Sequence, residues 1–271
     1  MTLPISFGLG GIAGWKVLQR MEERQKEILA KDPVIQRQTD HFRDRLEITG
    51  TAEELVGDYR MLSVALGAFG LHDDIGNKAF IKKVMESDLD DRKSLANRLT
   101  DKRYLRLAEA FGFHDRDAQT EHPEDAKKPA SKADLADRIS SAFLDREFER
   151  RVGLGDESLR LALNAQREIE SFSTRDSSDK TLWYEVLGSP PLRKVFETAF
   201  GYGTQFGKLP LDRQLKEMMK GAERLIGSSS FKTMAEPENT EKLIRNFLVR
   251  SEIATITGQN RFSAALALLS Q

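Results

Sequence analysis

Residues 51–74 read TAEELVGDYRMLSVALGAFGLHDD. Leu55, Tyr59, Leu62, Leu66 and Phe69 recur at steps of four and three, which lines them along one face of an α-helix. Thr51 with Glu54 three residues later has the form of a capping box, in which each side chain accepts from the other residue's backbone N–H. The spacing predicts one helix running from the box to Phe69. Gly70 is placed to end it, because glycine reaches positive φ without a Cβ clash and the apolar Leu71 folds back on the last turn.

The same Ala-Phe-Gly ending returns in LAEAFGFHDR at 107–116 and FETAFGYGTQ at 196–205. Gly112 and Gly201 are again followed by a large apolar residue, Phe113 and Tyr202, so all three copies predict helix C-termini. Between and beyond them nearly every periodic segment is helical. Before residue 51, 16–31 reads as a polar helix after a glycine-rich, flexible lead, and a second follows the Pro33 break. Asp73 or Asp74 can cap a helix carrying Phe80, Ile81, Val84 and Met85; Leu95 and Leu99 mark a short one; a third starts near Asp101 with Tyr104, Leu107, Ala108 and Phe111 on one face.

Later helices are marked by Leu135, Ile139 and Phe143, and by Leu159, Ala162, Leu163, Ala165 and Ile169. In GSPPLRKVFETAFG, Ser189 is an N-cap candidate with Pro190 in the first turn, and Leu192, Val195, Phe196, Ala199 and Phe200 follow the amphipathic template at every position. Helices over about 211–225 and 241–250 follow, then RFSAALALLSQ closes the chain. No segment shows strand alternation with β-branched enrichment, so the expected fold class is all-α, a multi-helix bundle. The stretch DRDAQTEHPEDAKKPASK, 115–132, is almost free of apolar residues and is expected to be a polar linker between helical halves at 1–114 and 133–271.

Composition narrows the function classes. The chain has 271 residues, 39% hydrophobic and 31% charged, enough apolar surface to bury a sizeable core. Its 42 Lys+Arg stand against 43 Asp+Glu, with no one-signed block of the kind that counterion-driven binding to nucleic acid requires. There is no cysteine, which removes disulfides, thiol catalysis and cysteine-ligated zinc. No apolar run reaches the roughly 20 residues of a membrane span. The first fifteen residues are uncharged and lack a basic leader, so no cleaved secretory signal is expected.

Candidate sites are few. His72-Asp73 and His114-Asp115 follow two of the glycine caps, and together they offer four ligands for a metal-dependent hydrolase, the enzymatic alternative. Neither pair has the i, i+4 histidine spacing of zinc motifs, and the third cap continues with Gly203-Thr204 instead. The remaining histidines are His41 and His122, the latter in the expected linker. GLGGIA at 8–13 matches a dinucleotide fingerprint at Gly8, Gly10 and Ala13 but has no preceding strand, and DLDDRKSLANRL from Asp88 lacks the glycine and glutamate of a calcium loop. No catalytic residue, cofactor or metal is therefore expected. Phe262, Ala265, Leu266 and Leu269 form one stripe, read as a last core helix or as a docking helix for a partner.

Several stretches together carry a resemblance: GIAGWKVLQR, AEELVGDYRMLSVALGAFGLHDDIGNKAFIKKVMES, LANRLTDKRYLRLAEAFGF, WYEVLGSPPLRKVFETAFG, LDRQLKEMM and LIRNFLVR. The chain resembles a helical domain family of unknown function from alphaproteobacteria, encoded among flagellar genes. The resemblance spans about Gly11 to Arg250. It implies a non-enzymatic structural or accessory role in the flagellum through protein partners; a cytoplasmic chaperone or regulator of flagellar export is the alternative. It supplies no catalytic residues, and it leaves the location as either the cytoplasm or the flagellum.

Overall fold

A computed structural model describes residues 8, 10–113, 131–175 and 177–269, with side chains in the last helix through Ile256. All regular structure among these residues is helical, as the periodicity predicts, and the chain divides into two compact units. Among the described residues, the first unit holds 22–150 and the second 8–21 and 151–269. Of the expected 115–132 linker only Ser131 and Lys132 are described, and the residues flanking it on both sides belong to the first unit.

The first unit takes the C-terminal part of α1 (Gly11–Ala30), then α2 (Pro33–Ile48), α3 (Ala52–Gly57), α4 (Tyr59–Phe69), α5 (Lys78–Met85), α6 (Leu95–Arg98), α7 (Lys102–Phe111) and most of α8 (Lys132–Gly153). Two elements replace the one helix expected over 51–69. The capping box of Thr51 and Glu54 forms and starts α3. Asp58 then opens a second helix, its carboxylate accepting from the backbone N–H groups of Arg60 (2.9 Å) and Met61 (3.2 Å). The break changes the rotational phase, so Tyr59, expected on the buried seam, is 62% exposed while Met61 and Leu62 are buried.

Around α4 the core gathers Phe42, Leu55, Leu66, Ile81, Leu107 and Phe111, each at most 3% exposed. Burial of side chains this large stabilises by roughly 1.5–3 kcal/mol each. Phe111 meets Phe42 edge-on at 6.4 Å and stacks on Phe113 at 5.8 Å. Asp73 and Asp74 do not cap α5: with His72 they form a one-turn 3-10 helix, and α5 starts after Asn77 with no side-chain cap.

The second unit contains the start of α1, α9 (Glu157–Ser173), α10 (Asp179–Gly188), α11 (Pro190–Phe200), α12 (Leu211–Ile226), α13 (Phe231–Met234) and α14 (Pro237–Leu269). The expected flexible lead is helical from Gly11, and Trp15 and Leu18 are buried, because α1 buries its apolar face in this unit. Trp183 is the hub of an aromatic cluster, edge-on to Phe231 at 5.1 Å and Phe196 at 5.5 Å, with its indole N–H donating to the Ser229 carbonyl at 3.0 Å. On α11, Leu192, Val195, Phe196 and Ala199 are buried as the template predicts; Ser189 is the N-cap position but makes no side-chain cap bond. Residues 241–269 form one helix with 237–240, not two segments.

All three Ala-Phe-Gly glycines end their helices in the left-handed region, with φ of 69°, 53° and 77° at Gly70, Gly112 and Gly201. At the first and third, the residue after glycine bonds back across the turn: Leu71 N–H to Leu66 O and Tyr202 N–H to Glu197 O, both at 2.8 Å.

Candidate functional site

His72 and Asp73 lie at the exposed end of α4, with His72 Nε2 3.2 Å from Asp73 Oδ1 and the carboxylate 93% exposed. His114, Asp115 and His122 fall outside the described residues. Asp74 is engaged elsewhere: its carboxylate accepts from the Tyr104 hydroxyl at 2.7 Å and from the Asn77 amide at 2.9 Å. Burial, then the bond to Asp74, pushes the Tyr104 hydroxyl up to about 12. His41 sits 2.7 Å from Asp58, the N-cap of α4. Among the described residues no three His, Asp or Glu side chains gather as a metal would need.

A different site emerges in the second unit, where α1, α9 and α14 border a cleft of about 430 Å³. One wall is the α9 stripe Gln166, Glu170 and Ser173, whose spacing of four and three puts them along one helix face. The other wall is the first turns of α14, with Thr240, Glu241 and Ile244, and Gln19 of α1 closes one side. Local bonds hold the α14 entry in place: the Thr240 hydroxyl donates to the Met234 carbonyl at 3.1 Å, and the Asn239 amide to the Thr233 carbonyl at 2.9 Å.

Within the cleft, Glu241 is the most firmly held group. Its Oε2 accepts from the buried Trp15 indole at 3.2 Å and from the Gln19 amide at 3.1 Å. Such bonds to a carboxylate are stronger than neutral ones, so they fix its direction. Glu170 is exposed at the rim, and its carboxylate has no hydrogen-bond or ion-pair partner among the described residues. Gln166 presents a buried Oε1 that also has none. Among the described residues no Lys, Arg or His lines the cleft, while Ala235, Pro237 and Ile244 supply apolar surface. The arrangement is an acceptor-rich groove with an apolar patch.

None of the cleft residues was singled out by sequence reasoning. Gln19, Glu170 and Glu241 come from three distant helices, and each alone reads as an ordinary polar position on a helix surface. The exposed part of α14 was legible only in outline: residues 252–256 are all exposed, including Ile253 at 56% and Ile256 at 53%. The side chains of Phe262, Ala265, Leu266 and Leu269 lie outside the described residues, although the helix itself runs through Leu269. No helix among the described residues is long and apolar enough to cross a membrane.

A crystal structure of a protein from Agrobacterium tumefaciens is similar in fold, with a TM-score of 0.71, covering 93% of this chain and 99% of that one at 22% identity. No curated protein sequence matches the chain. The family described as "Protein of unknown function (DUF1217)" matches residues 68–239, a segment holding all three capping glycines and the α9 wall of the cleft. Glu241 and Gln19 lie outside that segment. The match covers more than half of the sequence, and the chain therefore belongs to the DUF1217 family of proteins of unknown function.

Proposed function

We propose that this chain is a non-enzymatic accessory protein of the bacterial flagellum, acting through contacts between helix faces. The observation that carries the contact reading is α14. Ile253 and Ile256, one turn apart, are more than half exposed, and the helix continues to Leu269 through the sequence RFSAALALL. An exposed isoleucine pair, followed in the sequence by the stripe of Phe262, Ala265, Leu266 and Leu269, is the pattern of a helix that docks on another helix. The partner that fits is an apolar helix of a flagellar component. The flagellar association is supported by the resemblance of the stretches from Gly11 to Arg250.

The test pairs a gene deletion with a surface variant. Deletion is expected to impair swimming or filament assembly; unchanged swimming with normal filaments would overturn the flagellar role. Ile253→Glu with Ile256→Glu is expected to keep the melting temperature, since both side chains are exposed, yet to lose the flagellar proteins that the wild-type chain captures from motile cells. Equal capture of those proteins by the variant would remove α14 as the contact. Fractionation into cytoplasm and sheared filaments separates a component of the flagellum from a factor acting before export.

A further inference from the structure

We draw no further inference here: the strongest candidate, the exposed apolar surface patch that Ile253 and Ile256 form on α14 of the second unit, is already the contact surface of the proposed function, and nothing in the structure shows what covers it.

Discussion

Arg250 Nη1 lies 2.5 Å from the point where a Cβ on Gly201 would stand. The guanidinium of one helix therefore rests on the glycine that ends another, α11, whose carbonyls present the negative end of the helix dipole. Gly70 repeats the relationship within the first unit: Arg103 donates to its carbonyl at 2.5 Å, and Arg146 Cζ is 3.3 Å from the place of a Cβ. The repeated Ala-Phe-Gly thus has a second requirement beyond positive φ at these two caps, room for an arginine.

Gly227 allows the two requirements to be separated. It also ends its helix in the left-handed region, at φ 76°, but a Cβ there would meet nothing within 4 Å. Gly227→Ala is expected to lose about 1 kcal/mol from backbone strain alone. Gly201→Ala should lose more, because Arg250 must also move, and adding Arg250→Ala should bring the glycine substitution back toward the Gly227 value. Urea unfolding of Gly227→Ala, Gly201→Ala, Arg250→Ala and the Gly201→Ala/Arg250→Ala double variant checks this. Equal losses at the two glycines would show that the arginine contact contributes nothing.

A different glycine tests close packing in the first unit. Gly67 is helical, and a Cβ there would lie 2.7 Å from Cδ2 of the buried Phe143. Helix propensity alone favours alanine by about 1 kcal/mol. Overpacking typically costs about 1–3 kcal/mol, so Gly67→Ala is expected to be a net destabilisation, visible as a lower urea midpoint. Phe143→Leu, destabilising by itself, should become less so in the Gly67→Ala background. A stabilised Gly67→Ala protein would mean that Phe143 yields at little cost.

What was legible beforehand follows from how local each signal is. The Thr51–Glu54 box, the α11 face from Leu192 to Ala199 and the three glycine caps are set by residues within a turn or two of each other, and sequence spacing describes them well. The break at Asp58 escaped because apolar periodicity continues through it, while the decision rests on one carboxylate turning to two backbone N–H groups. The spacing sets 241–250 apart from RFSAALALLSQ, yet α14 joins them through Gly258, since a single glycine costs a helix only about 1 kcal/mol. The cleft was invisible for the opposite reason: Gln19, Glu170 and Glu241 acquire a common setting only through tertiary packing.

Asp58 links the break in the helix to acid stability. Partial burial raises its affinity for a proton, but the bond from His41 and the backbone N–H groups of Met61 and Arg60 outweigh that and hold the carboxyl below its ordinary range. Because the folded-state value is depressed, its stabilisation is fully present above the unfolded value, about pH 4. It fades as pH falls through the lower folded value, where protonation removes the anionic acceptor. Asp58→Ala at pH 7 should lose about 1 kcal/mol, the usual contribution of a side-chain N-cap. Asp58→Asn keeps a capping oxygen and should lose less, but it carries no titrating group. Stability measured by urea unfolding from pH 6 down to 2.5 should therefore fall less steeply below pH 4 in Asp58→Asn than in wild type. His41→Ala should shift the Asp58-dependent part of the decline to higher pH, because one of the bonds favouring the carboxylate is gone. Identical acid profiles for wild type and Asp58→Asn would show that the cap is not the group whose protonation the fold resists.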